Sequence, residues 1–467
     1  MTVKIRGLRG SVPVVRLILV AAAFAVATAV PFALLAGGKG KDSNWPQWRG
    51  PESSGVSAET GIPLEWSDTQ NVLWKTPIPG LGHSSPIIWG HRIFLTTAIE
   101  GEVVEGAKAP VHLIDGKPWS HPQATGADKK HTLKVLSLDR DTGKVLWERT
   151  AYEGLMSDSR HAKASFASPT PVTDGSTVYT FFGTEGVYAF DFKGNLKWKA
   201  TVGTITSVSV GIGTSPLLYK NLLILQCDTE DGEGSFIVAL DKKTGKEAWR
   251  QPRKVSISWA TPILVSAGSR DELITLGEQV ITAYDPATGK ELWTARGLKS
   301  NAVPSPVAGN GFIYAPTGYP TKLLMAIRPG GSGDISATNI AWTYDRGTAY
   351  VASPVLYGNY LYLTSDKGIL TCLDAKTGEV KYDNGRVPVP ASFIASLLAL
   401  DGHILEFGED GDTFVVKAGP VHEVVRTNSL KEPIYATPAV AAGRIFIRGK
   451  NHLYAIGKSE KTAGAGQ

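Results

Sequence analysis

The residue groupings that could carry chemistry are few, and each is incomplete. His422-Glu423-Val424-Val425-Arg426 begins like a zinc-protease motif, which needs two histidines one helical turn apart to hold the metal, but arginine stands in the second place. Gly457-Lys458-Ser459 ends like a phosphate-cradling loop, yet position 452 is His where the leading glycine belongs. Asp139-Arg140-Asp141 opens like a calcium loop, but Lys144 occupies the place of the obligatory glycine, so a hairpin turn is the better reading. No Gly-x-Ser-x-Gly elbow or Cys-x-x-Cys-His occurs. Arg160, His161 and Lys163 could bind an anion beside an axial opening or form a solvated loop. Two cysteines in 467 residues exclude a disulfide scaffold and a four-thiolate metal cluster.

The elements around these residues are organised by a repeat. Ser/Thr-Pro leads into an apolar run, a Gly turn and a second run. A further turn and a third run follow, ending in Asp-x-x-Thr-Gly and then an aromatic residue. The Ser/Thr-Pro starts are Ser85-Pro86, Ser168-Pro169, Ser215-Pro216, Thr261-Pro262, Ser305-Pro306, Ser353-Pro354 and Thr437-Pro438, with Ser396-Leu397 an eighth that lacks its proline. The clearest turns begin at Asp139, Asp241, Asp285 and Asp374. Trp147, Trp249, Trp293 and Tyr382 follow them, and Trp198 and Trp342 hold the same place after degenerate turns. Asp accepts hydrogen bonds from turn amides and Gly supplies the positive φ of a tight hairpin. Four short antiparallel strands repeated radially make a β-propeller blade.

Positions 74 to 457 divide into eight units of about 48 residues. The eighth stops before its Trp-bearing outer strand, and Trp74 stands on an orphan strand before the first Ser-Pro. The predicted fold is therefore all-β: an eight-bladed β-propeller of four-stranded antiparallel blades, closed by residues 71–76 completing the last blade. A seven-bladed count would have to discard the weak unit at 391–426. The expected organisation is an N-terminal signal peptide or anchor at 1–40, a strap at 41–70 with Trp45 and Trp48, the propeller at 71–457 and a polar tail at 458–467. Residues 100–131 form a long insertion with His112, Trp119, His121 and His131, the kind of loop that often carries function.

Charge narrows the partners. Lys4, Arg6, Arg9, Arg16 and Lys39 lie in the first forty positions without any acid. They account for the whole net charge of +5, so the remainder is neutral and lacks the basic face of a nucleic-acid binder. The apolar run 17–35 behind those bases reads as a secretory signal, with Ala27-Thr28-Ala29 a cleavage site, or as an uncut anchor. Either way the folded part is expected outside the cytoplasm, periplasmic or secreted, and monomeric.

The Ser-Pro…Asp-x-x-Thr-Gly-Lys-x-x-Trp unit resembles the pyrroloquinoline-quinone (PQQ) repeat over about 400 residues. Trp45-Pro-Gln-Trp-Arg-Gly-Pro51 is similar to the opening of secreted PQQ-repeat proteins of soil bacteria. The resemblance implies one of two branches. One holds quinoprotein dehydrogenases with PQQ and calcium. The other holds propellers without catalysis, such as the lipoprotein subunit of the outer-membrane β-barrel assembly machine. The dehydrogenases cover the quinone with adjacent cysteines, whereas Cys227 and Cys372 lie in different units. Trp259 could supply the ring they stack on the other face. Calcium would need Asp228, Glu230 and Asp231, or Glu409, Asp410 and Asp412, which also fit solvated turns. Residues just before each inner strand should face the axis: His83, Phe166, Trp259, Asn301, Tyr350, Phe393 and Tyr435. They could form a concave ligand site or simply fill the axis. The expected function is an exported module that binds envelope proteins or a small ligand without catalysis. The alternatives are a PQQ- and calcium-dependent oxidoreductase of alcohols or sugars, and a carbohydrate- or peptide-binding propeller.

Overall fold

The computed structural model describes residues 43–458 apart from positions 115, 231, 257 and 300. The segment 1–40 and nearly all of the polar tail lie outside the described residues. Eight antiparallel sheets succeed one another along the chain, each a meander of four strands. Blade 1 runs from Ile87–Trp89 to Val145–Leu155, blade 2 from Val172–Thr173 to Leu196–Ala200, and blade 3 from Leu217–Tyr219 to Glu247–Pro252. Blades 4 to 7 end on Glu291–Arg296, Ile340–Tyr344, Val380–Arg386 and Val424–Ser429. Blade 8 takes three strands from the C-terminal end and its outer strand from Val72–Pro77, which pairs antiparallel with His452–Ile456. The eightfold count and the N-terminal closure are both as the repeat predicts. Only a single turn of α-helix, Ser336–Asn339, and one 3-10 turn interrupt the strands among the described residues.

Burial follows position in the blade. The second strand of blade 3, Leu222–Cys227, is buried on both faces, because blades 2 and 4 cover it. Such a strand reads as an unbroken apolar run rather than an alternation. The outer strand Glu247–Pro252 is mostly exposed and carries charge.

Two contacts recur at the junctions. At the axis, the backbone N–H of seven of the eight inner-strand starts donates to the hydroxyl of the next. Ser85 gives to Thr170, Thr170 to Ser215, Ser215 to Thr261, Thr261 to Ser305, Ser305 to Ser353, Ser353 to Ser396 and Ser396 to Thr437, at 2.8–3.0 Å. Blade 2 thus starts at Thr170-Pro171, not at Ser168-Pro169. Ser168 instead gives its hydroxyl to Ser165 O within its own loop. Ser396 takes part although Leu follows it, because the hydroxyl makes the contact and the proline only removes a competing donor.

At the rim, the indole of one blade lies on the turn glycine of the next. A Cβ on Gly143, Gly194, Gly245, Gly289 or Gly378 would stand 2.5–2.9 Å from the rings of Trp74, Trp147, Trp198, Trp249 or Trp342. Trp74, Trp147, Trp198 and Trp342 also donate Nε1–H to turn carbonyls at 2.9–3.1 Å. Beneath the ring, Asp139 Oδ1 accepts from the amides of Asp141 and Thr142 and from the Thr142 hydroxyl; Asp241 and Asp374 repeat this. Trp293 departs from the pattern. It is fully buried and donates to Glu272 at 2.8 Å, because blade 5 replaces the turn with the loop around Ser336–Asn339.

Gly245→Ala should cost about 2–4 kcal/mol, since it combines a strained φ of +72° with a collision against Trp198. Gly311→Ala, with φ +82° but open space around it, should cost only about 1 kcal/mol. Denaturant unfolding of both variants checks the difference. Equal losses would show that the indole contact contributes nothing.

Glu406 supplies a second test. It is fully buried in blade 7, and neither carboxylate oxygen has a hydrogen-bond partner. Burial pushes its carboxyl up to about 7. The folded state therefore holds this proton more tightly than the unfolded chain, whose glutamate titrates near ~4.3. The resulting stabilisation is complete below that value and is lost as pH rises through about 7. Glu406→Gln should flatten the fall in stability between pH 5 and 8 by on the order of 2–3 kcal/mol. Calorimetric Tm at both pH values in the two proteins reads this out.

Candidate binding site at the propeller axis

The inner strands have unlike surroundings at their two ends. At the end where these strands begin lie the residues singled out from the sequence. The structure brings two of them together: the His83 and Tyr435 rings are 5.0 Å apart. His83 is partly exposed as a residue, but its Nε2 is buried without a partner. Burial first, then the charges of Arg448 and Arg160, hold its imidazole down at about 3, so it is neutral at physiological pH. Arg448 is buried below it and gives Nη1–H to Ser84 O, Ser84 Oγ and Thr96 O. Gly82 leaves room for that guanidinium, since a Cβ there would sit 2.0 Å from it.

The other five pack into their own surroundings. Phe166 lies edge-on to His131 with Arg160 over its ring. Phe393 is buried against Phe414. Trp259 donates Nε1–H to Gly211 O at 2.8 Å, Asn301 adopts a left-handed φ of 55°, and the exposed Tyr350 leans on Tyr319. The basic loop is committed to local bonds. Arg160 gives hydrogen bonds to the carbonyls of His161, Ala162 and Ala164 and to Glu100. Lys163 reaches Glu409 of blade 7 at 2.9 Å and ties two loops together at this end.

The acids proposed for calcium are engaged elsewhere. Asp228 pairs with Arg253 at 3.1 Å and accepts from Gln226, while burial raises its carboxyl. Glu230 meets His112 at 2.7 Å and Val208 N at 2.9 Å. Glu409 is held by Lys163, Asp410 faces the amide of Asp412, and Asp231 lies outside the described residues. Among the described residues, no three His, Cys, Asp or Glu side chains are placed to hold a metal ion. Cys227 and Cys372 are buried and free in blades 3 and 6. Among the described residues the acids named for calcium are therefore not brought together. His422 packs its ring on Tyr382 at 5.4 Å.

One buried side chain ties the blade 1 insertion to two other blades, and the insertion's Ala124–Thr125 strand pairs with Arg160–His161. His112 is buried between Glu230 and Asp158, with ring nitrogens 2.7 and 2.9 Å from their oxygens. The second Asp158 oxygen accepts from the amide and hydroxyl of Ser207. Loops of blades 2 and 3 thereby hold the insertion down. His121 stacks between Trp119 and His161, and Val103, Val111, Leu113 and Ile114 remain exposed.

The opposite end holds the strap and, beneath it, a cavity that the sequence reading missed. Residues 43–66 cross the propeller where the inner strands finish. Trp45 exchanges two backbone hydrogen bonds with Ile88 of blade 1, and Pro46 O accepts from Thr173 of blade 2. Arg49 reaches Pro354 O of blade 6, Val56–Ser57 pairs parallel with Ala399–Leu400 of blade 7, and Trp66 N donates to Asn428. Between this strap and the inner strands of blades 1 to 5 lies a cavity of about 590 Å³. Gln47, Glu52, Ser53, Trp89, Leu218, Leu264 and Phe312 line it, and none of the seven predicted axial residues does. The signal for it was the density of Trp, Arg, Gly and Pro in residues 45–51.

Comparison with known proteins agrees with the fold. The family model described as outer membrane protein assembly factor BamB matches residues 131–384, more than half of the chain. Curated BamB proteins of Kangiella koreensis and Francisella salina are each 28% identical, over 133 and 179 residues. Those matches cover 27% and 38% of this chain but only 31% of either relative. Among solved structures, BamB of Moraxella catarrhalis superposes with TM-score 0.51 at 13% identity, covering 79% of this chain and all of that one. The quinohemoprotein alcohol dehydrogenase of Comamonas testosteroni superposes with TM-score 0.58 at 13% identity, covering 91% and 82%. Identities this low speak for a shared fold alone. With eight Ser/Thr-led blades, indoles docked on turn glycines and a family match across more than half its length, the chain belongs to the BamB family of PQQ-repeat propellers.

Proposed function

We propose that the protein is an exported, non-catalytic propeller of the cell envelope that binds partner proteins through the face bearing the blade 1 insertion. The observation that carries this reading is the insertion itself. A loop that leaves four large apolar residues in water is nevertheless pinned by a buried His112 bridge, an arrangement suited to presenting a contact surface. Its blade is also drawn out: the second to fourth strands of blade 1 have 11–12 residues, against 5 in each of those strands of blade 2. The BamB relatives, named as outer-membrane assembly factors, and the basic-then-apolar N-terminus support export to the envelope. No helix among the described residues is long and apolar enough to cross a membrane.

An oxidoreductase reading would need PQQ, which supplies a two-electron acceptor when bound, together with calcium. Three of the acids that calcium would require, Asp228, Glu230 and Glu409, are held by Arg253, His112 and Lys163 instead. The paired His83 and Tyr435 leave a small aromatic or peptide ligand as the second use of the axial opening.

Leu113→Lys combined with Val111→Lys alters only exposed positions and should leave Tm unchanged while abolishing capture of envelope partners from solubilised membranes. Undiminished capture by this variant would remove the insertion as the contact. Separately, added PQQ and calcium should give neither a saturable absorbance change nor dye-linked alcohol oxidation. Binding with turnover would overturn the non-catalytic reading.

A further inference from the structure

The strap places a charged group on the axis without a counter-charge. Arg49 is completely buried, and its neighbours are backbone: Nη2–H donates to Ser54 O at 2.9 Å and to Pro354 O at 2.5 Å. Nε and Nη1 are buried with no acceptor. The Trp48 ring lies 5.5 Å away, and among the described residues no carboxylate comes within ion-pair distance. Arg253, the buried arginine of blade 3, has Asp228 at 3.1 Å. Arg448, also buried and without a carboxylate, has its bonds taken by Ser84 and Thr96, whereas a buried cation with two donors left unsatisfied is unfavourable and calls for an acceptor beside it.

The local backbone is built around this one side chain. Arg49 has φ +61°, a left-handed conformation that is rare for a residue with a Cβ. A Cβ on Gly55 would stand 2.7 Å from Arg49 Nη2, and one on Gly50 would stand 3.0 Å from the Trp45 ring. Gln47, Pro51, Glu52 and Ser53, on either side of Arg49 in the chain, line the 590 Å³ cavity, although Arg49 itself does not.

We propose that the buried guanidinium of Arg49 is an anion site, in which a halide or the carboxylate head of a small solute accepts hydrogen bonds from Nε and Nη1. The role of the site is to neutralise the axis and lock the strap across it. This does not depend on what the insertion binds.

The test uses the full chain at constant ionic strength, with methanesulfonate as the bulky replacement ion. Bromide and acetate are titrated in separately. One of them should raise Tm saturably by about 2–4 °C, and Arg49→Met should abolish the rise. The more effective ion tells a halide from a carboxylate site. Should Arg49→Met fail to fold, crystals of the unaltered chain soaked in bromide or acetate decide the matter. An anomalous peak or a planar carboxylate within hydrogen-bond reach of Arg49 supports the site. A Tm indifferent to the anion, with only water at Nε and Nη1 in both soaks, overturns it.

Discussion

An indole resting on a glycine joins five of the eight blades to the next, and the closed ring depends on that contact being repeated. The geometry leaves little freedom. The Asp-x-x-Thr-Gly turn must present a bare Cα, because the ring of the preceding blade fills the space a Cβ would take at Gly143, Gly245, Gly289 and Gly378. The aspartate beneath keeps the turn in shape by collecting amide and hydroxyl donors. A series of bonds at the axis, from backbone N–H to Ser/Thr hydroxyl, keeps the blades in register as they turn. Where blade 5 loses its turn, Trp293 becomes fully buried and meets Glu272 instead. Closure carries the same contact across the chain ends, since Trp74 of the last blade lies on Gly143 of the first.

With the wheel closed, function is left to the groups that are not part of the repeat. They lie in three places: the His83–Tyr435–Arg448 group where the inner strands begin, the strap and its cavity where they end, and the insertion fastened by His112. Much of their electrostatics follows from burial. It keeps His83 neutral beside two arginines, raises Glu406, and leaves Arg49 charged without a partner on the axis. A rigid scaffold can carry such isolated groups because the repeated contacts supply its stability elsewhere.

Legibility in the sequence tracked periodicity. The repeat is local, so the turn aspartates, the turn glycines and the tryptophans could be read directly, and the missing outer strand of the last unit pointed to Trp74. The shift from Ser168 to Thr170 escaped notice because Ser-Pro-Thr-Pro offers two starts two residues apart, and only the hydrogen bond to Ser215 distinguishes them. The axial residues were harder to place. Position before an inner strand puts a side chain near the axis but not into it: Phe166 and Phe393 turned into blade layers, and Trp259 turned toward Gly211.

What the chain determined by itself was the unit, its number and its closure, because each rests on residues within one hairpin of each other or on a simple count. Tertiary structure alone decided which polar groups find partners. His112 meets Asp158 and Glu230 from two other blades, Lys163 meets Glu409 at the end where the inner strands begin, and Arg49 crosses from the strap to Pro354 without meeting a charge. These pairings join positions up to 305 residues apart, and one-dimensional spacing carries no information about them.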